Sequence, residues 1–327
     1  MALPDILRRP LTLPVVASPM FIASGPELVS AQCQAGVIGA FPALNARPAS
    51  LLDEWLHQIA ESNAKFSATQ PERPAAPFAV NQIVHRSNDR LEQDMAMIVE
   101  HEVPIVITSL GAREEINEAV HSYGGIVLHD VINDRFARKA IEKGADGIIA
   151  VAAGAGGHAG TQSPFALVQE IRSWFDGPLL LSGAMAHGRS ILAALAAGAD
   201  FAYVGSAFLA TREANVIDGY KQMIVESSAA DIVYSNLFTG VHGNYLRGSI
   251  TAAGLDPDDL ATSDPSAMSF GTSEGGSSKA WRDIWGSGQG IGTVDAVVSV
   301  AELVGRLARE YDEAQSSLRT RLEDLSR

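Results

Sequence analysis

The sequence predicts an α/β fold: a (β/α)8 TIM barrel, residues 1–211 and 281–327, with a small cap domain, 212–280, inserted near the C-terminus. Three observations predict it. Short apolar runs recur eight times up to Phe208, segments of helical spacing separate them, and the alternation stops abruptly after that residue. An open doubly wound sheet ordinarily uses fewer strands, so the count favours the closed barrel.

The runs, in order, are PVVASPM (14–20), VIGAFPAL (37–44), FAVNQI (78–83), PIVITSL (104–110), GIVLHDV (125–131), GIIAVAA (147–153), PLLLSGA (178–184) and FAYVGSA (201–207). Between them lie PELVSAQCQAG, SLLDEWLHQIAES, DRLEQDMAMIVEHE, EINEAVHSYG, DRFARKAIEKG, FALVQEIRSWFDG and GRSILAALAAG. Each carries apolar residues three or four apart, and most end at glycine, which stops a helix by taking up left-handed backbone. Residues 212–240 read as helical, and 240–280 are too rich in Gly, Ser, Thr and Asp to be a barrel element. The stretch AVVSVAELVGRLAREYDEAQSSLRTRLEDL then supplies the closing helix.

Composition narrows the function. A net charge of −14 over 327 residues, with Lys and Arg scattered, argues against a nucleic-acid or membrane surface as partner. Cys33 stands alone, so neither a disulfide framework nor a cysteine-based metal site is expected, as suits a reducing cytoplasm. The N-terminus MALPDILRRPLTLP lacks a signal-peptide core, and no apolar run approaches the ~18 residues of a membrane span. We therefore expect a soluble cytoplasmic protein, with a homodimer as a possible assembly. No His-Glu-x-x-His or paired-carboxylate spacing occurs, so no metal is expected.

In such a barrel the strand C-termini and the loops after them build the site. One of these ends is Ala152–Gly160, AAGAGGHAG, which sets His158 among four glycines and four alanines. Small residues form a tight turn on their own account; they also let a flat ligand lie on the backbone, with His158 as the titratable group in reach. The turns after strands 7 and 8, LSGAMAHG (181–188) and VGSAF (204–208), have the Gly and Ser content that lets backbone amides approach a phosphate. FMN fits this arrangement better than a sugar phosphate, and no Gly-x-Gly-x-x-Gly loop offers a place for the ADP half of FAD. Of the other candidates, His187 reads as a turn residue. His85, His121 and His242 show no partner pattern, and Trp281 and Trp285 read as anchors of the cap.

With ASPM (17–20), VNQ (80–82), EKGADGIIAVAAGAGGHAG (142–160), LSGAMAHGRSILAALAAGADFAYVGSAFLATREA (181–214) and IWGSGQG (284–290), the chain resembles the nitronate monooxygenases, formerly 2-nitropropane dioxygenases. The resemblance implies an FMN-dependent enzyme that oxidises a nitronate or nitroalkane with O2 to a carbonyl compound and nitrite. It implies His158 as the catalytic residue and Pro19, Met20, Asn81, Gly156 and Gly157 beside the flavin. It further implies Ser182, Gly183, Ala184, Gly205 and Ser206 around the flavin phosphate, and Gln289 returning from the C-terminal side. Three positions depart from the related motifs. Gly154 replaces a frequent Glu, and Ala184 replaces a second Gly whose amide we expect to stay free. Asp130 stands near the flavin where a related subgroup of NADH:quinone reductases has Lys. Flavin barrels of the enoyl-acyl-carrier-protein reductase type share the Gly-Gly-His turn. An FMN-dependent NAD(P)H:quinone or enoyl-thioester reductase, and a non-catalytic flavin-binding barrel, therefore stay open.

Overall fold

A computed structural model of the chain describes residues 3–264 and 283–326. All eight predicted runs form strands: β1 Val15–Ala17, β2 Gly39–Pro42, β3 Phe78–Ile83, β4 Ile105–Ser109, β5 Ile126–Val131, β6 Gly147–Val151, β8 Leu179–Ser182 and β9 Phe201–Val204. They pair in parallel in the order β1-β9-β8-β6-β5-β4-β3-β2, and a parallel bridge between Val16 and Ile38 joins the two ends into a barrel. The strands sort their side chains by alternation. Val16, Ala79, Ile105, Ile107, Leu128, Ile149, Leu180 and Phe201 fill the barrel interior, and Leu7, on the 3-10 turn Asp5–Arg8, packs with them. The intervening positions, such as Val80, Val106, Val127 and Leu181, face outward and share a core with Leu28, Leu56, Ile98, Leu167 and Ile191. Those residues belong to the helices α1 Pro26–Gln34, α2 Leu51–Thr69, α3 Leu91–Glu100, α6 Pro164–Arg172 and α7 Gly188–Ala197. The helices α4 Glu114–His121 and α5 Asp134–Glu142 complete that layer. The predicted closing helix runs from Val300 to Leu325. Ser299 and Glu302 cap its start reciprocally, and it packs along α7.

The segment after the barrel differs from its predicted course. After the short helix α8 Ser206–Leu209, residues 212–240 are not helical throughout: α9 Asp218–Glu226 is a helix, but β10 Ile232–Ser235 is a strand. A turn closed by Ser228 and Asp231 ends the helical part, and the β-branched pair Ile232-Val233 begins an extended run. β10 pairs antiparallel with β11 Gly243–Leu246, and β11 pairs in turn with β7, the two residues Gly157–His158. AAGAGGHAG is therefore more than a loop, because its histidine lies on a strand of this second sheet. A separate apolar cluster of Tyr245, Ile250 and Ile284, with Val233, Phe238 and Leu260 against it, holds the segment together. Residues 265–280 of the predicted cap, and Trp281, lie outside the described residues.

Candidate active site

One cavity of about 1140 Å3 opens at the C-terminal ends of the barrel strands. The alternation that fills the barrel with aliphatic side chains changes character at its top: the next inward position is Ser18 after β1, Asn81 on β3, Ser109 on β4, Asp130 on β5, Ser182 on β8 and Tyr203 on β9, and all six line the cavity. Several of them are linked. Asn81 donates through Nδ2 to Ser109 Oγ at 2.7 Å, and Ser109 donates to Asp130 Oδ2 at 2.5 Å. Tyr203 is hydrogen-bonded to Ser18. Burial raises the Asp130 carboxyl to about 6, against the pull of the Ser109 hydroxyl.

His158 also lines this cavity. Its strand is fixed from both sides: Ala159 donates its amide to the His242 carbonyl at 3.2 Å, and Asn244 donates through Nδ2 to the Ala155 carbonyl at 2.6 Å. The ring touches Thr239 Oγ1 through Nε2 at 3.0 Å. Thr239 also donates its hydroxyl to the Val241 carbonyl at 3.0 Å, which favours the tautomer whose Nε2–H it accepts. Burial lowers the His158 imidazole to about 4. The sequence suggests a group titrating near neutrality, whereas the folded protein holds a neutral imidazole at pH 7.

The glycines around His158 have a structural task that the sequence does not display. The Gly154 carbonyl accepts two amides, that of Ala184 at 3.1 Å and that of Gln289 at 2.9 Å. A side chain at Gly156 would meet the Gly288 amide nitrogen at 2.7 Å, beside the bond in which Gly288 donates to Ser206 Oγ at 2.8 Å. The stretch therefore ties the β8 turn, the β9 turn and residues 284–290 into one wall. Two expectations change as a result. The Ala184 amide is committed to Gly154 and is not free for a phosphate. Gln289 is exposed against Gly154, outside the cavity lining, while its neighbours Gly288 and Gly290 face the cavity.

Ala184 holds φ 54, and Ile22 (φ 67) and Leu110 (φ 61) share the left-handed region, so three of the four described non-glycine residues with positive φ line the cavity. Such backbone costs an L-residue about 1–2 kcal/mol and persists where surroundings impose it, often at ligand sites. Ala184→Gly should therefore stabilise the protein by about 0.5–1 kcal/mol after the entropy of glycine is deducted. A denaturation midpoint that stays put or falls would show that the turn carries no strain.

Pro19, Met20, Asn81, Asp130, Gly156, Gly157, Ser182, Gly183, Ala184, Gly205 and Ser206 all line the cavity with His158. So do two histidines without a sequence pattern, His85 and His242, the latter stacked on Tyr234 with ring centroids 5.1 Å apart. His187 caps α7 through Nδ1, as a turn residue should, and His121 pairs with Asp146. Trp285 stacks on Tyr220 of α9 at 4.8 Å and also lines the cavity. Tyr203 and Thr239 were missed. Tyr203 follows from the inward alternation of FAYV, but no local signal marks Thr239.

The Asp130 shift can be read in stability. A carboxyl whose folded pKa lies near 6, against 3.8 unperturbed, loses stability as pH rises between those values and no more above them. Asp130→Asn should therefore raise Tm at pH 7–8, and the gain should vanish below about pH 4. His158, present in both proteins, drops out of that difference. A gain independent of pH would mean that Asp130 is not the source.

Among the described residues no helix is long and apolar enough to cross a membrane. The family model for nitronate monooxygenase matches residues 8–310. A nitronate monooxygenase of Paraburkholderia phytofirmans is 26% identical, over 94% of this chain and 94% of its own length. Nitroalkane oxidase from Streptomyces ansochromogenes superposes with a TM-score of 0.80 at 23% identity, covering 94% of this chain and 98% of that one. FabK from Thermotoga maritima does so at 0.76 and 24%, covering 97% of each. At such identities these two structures bear on the fold alone. The match across nearly the whole length is the decisive one: the chain is an oxidoreductase and belongs to the nitronate monooxygenase family.

Proposed function

We propose that the cavity holds FMN and that the enzyme oxidises alkyl nitronates with O2 to carbonyl compounds and nitrite. The observation that carries this reading is the convergence of His158, the β8 turn and the β9 turn on one cavity at the strand C-termini of a barrel. The residues present fit the cofactor: Gly154, Gly156 and Gly157, with only the Ala155 methyl among them, offer a nearly bare wall for a flat ring, and Gly205 adds no side chain at the cavity. Ser182, Gly183, Gly205 and Ser206 would hold the phosphate, with Pro19, Met20 and Asn81 along the ring. FMN supplies the electron acceptor when bound. His158 supplies the imidazole that takes the α-proton of a neutral nitroalkane and as an imidazolium then faces the anion it has made. Thr239 holds the ring for that transfer by engaging Nε2. The described residues 212–264 act as a cap, since β11 and Tyr234 already stand over the His158 strand and the Tyr234 hydroxyl donates to the Ala159 carbonyl at 3.0 Å.

The test is the absorbance spectrum of the purified protein, chromatography of released cofactor, and nitrite formation from propionate 3-nitronate. A yellow protein that releases FMN and forms nitrite is expected. Release of FAD would overturn the phosphate assignment. Anaerobic bleaching by NADH without nitronate turnover would replace the monooxygenase with a reductase, and bound FMN without any turnover would leave a flavin-binding barrel.

A further inference from the structure

The cavity exceeds the usual pocket of one ligand. Pockets that hold one drug-sized ligand span roughly 300–1,000 Å3, and FMN is itself such a ligand, yet this cavity reaches about 1140 Å3. Its mouth is also apolar in a way the remaining surface is not. Among the described residues nine large apolar side chains are exposed, and four of them line this one cavity: Ile132 at 42%, Phe136 at 45%, Ile217 at 66% and Tyr234 at 40%. Scattered exposed apolar residues are ordinary, but gathering at one opening marks a binding surface. Lys139 follows Phe136 by three positions on α5, so the two share a helix face. It is exposed at the cavity and makes no ion pair among the described residues.

We infer that the second occupant of the cavity is an anion with an extended apolar body whose acidic end lies at Lys139 and whose body lies along Ile132, Phe136, Ile217 and Tyr234. A short nitroalkane would leave these side chains in water. This inference deepens the flavin-dependent reading and rests on it for the position of the reacting end.

The test measures binding instead of turnover, so the two readings fail separately. Calorimetric titration of the protein as purified with butanoate, hexanoate, octanoate and decanoate should show affinity rising about threefold per methylene, somewhat below the full worth of burying one. The double variant Ile132→Ser, Phe136→Ser should flatten this series, and its unfolding midpoint, expected unchanged because both side chains are exposed, reports whether it folds. Lys139→Gln should weaken decanoate but not decanamide. A yellow protein whose affinity ignores chain length overturns this inference and leaves the flavin reading intact. A colourless protein that still follows chain length supports the apolar mouth and overturns the flavin reading.

Discussion

His158→Asn should leave fold and FMN content intact and lower turnover of a neutral nitroalkane by about 10²–10⁴, the usual worth of a positioned base. Retention of the fold follows from how the residue is held. β7 is paired through its backbone to β11, so the strand survives a change of side chain, and Asn fills similar space. Retention of FMN follows because Ser182, Gly183, Gly205 and Ser206 sit on other strand ends. The loss should be smaller for a preformed nitronate, which needs no proton removed and forfeits a hydrogen bond alone. Equal turnover of both substrates by variant and parent would return the histidine to a packing role, and flavin lost in step with activity would make it a cofactor residue.

The depressed His158 imidazole sharpens this expectation. Burial holds it near 4, so the neutral base is already the resting form at pH 7, and acid does not limit the nitroalkane reaction until the pH approaches that value. The Asp130 carboxyl, raised to about 6 by burial, changes charge near neutrality. A bend near pH 6 in nitroalkane turnover that disappears in Asp130→Asn therefore belongs to the Asn81–Ser109–Asp130 chain and not to the base.

The barrel was legible because its signals are local. β4 reads Ile-Val-Ile-Thr-Ser, and the same alternation that buries Ile105 and Ile107 delivers Ser109 to the cavity. The partners of His158 were not legible for the opposite reason. Thr239 lies 81 residues away in sequence and meets the ring because β11 pairs with a two-residue strand that no periodicity could reveal. β10 was read as helix because Ile232, Val233 and their neighbours are too few to establish a period, and pairing with β11 decided their conformation. The Ala184 amide shows a third limit. A Gly-Ala turn looks open on paper, and the acceptor that occupies it, the Gly154 carbonyl, belongs to another loop.

In the proposed FMN site that occupied amide would shift the burden of phosphate binding toward the β9 turn, and the test belongs there. Gly183 is the wrong place to probe it: its φ of 137 excludes side chains, and a Cβ would stand 2.7 Å from the Ala153 carbonyl oxygen, so any substitution disturbs the turn itself. Gly205 has φ −115, outside the left-handed region, and the atom nearest an added Cβ would be the Ser18 Cβ at 3.2 Å, a tight contact that a small shift of Ser18 relieves. Gly205→Asp thus adds a carboxylate without refolding the backbone. Two unit charges about 4 Å apart repel by about 1 kcal/mol in water and about 4 kcal/mol near a protein surface, and the phosphate is a dianion. The Kd for FMN should therefore rise by about 10²-fold or more, while Gly205→Asn, of the same shape and without the charge, should stay within about fivefold of the parent. Ultrafiltration with fluorescence of the unbound flavin separates the two variants. Equal retention by Asp and Asn would place the phosphate elsewhere, and equal loss by both would mean that bulk at position 205, not charge, expels the cofactor.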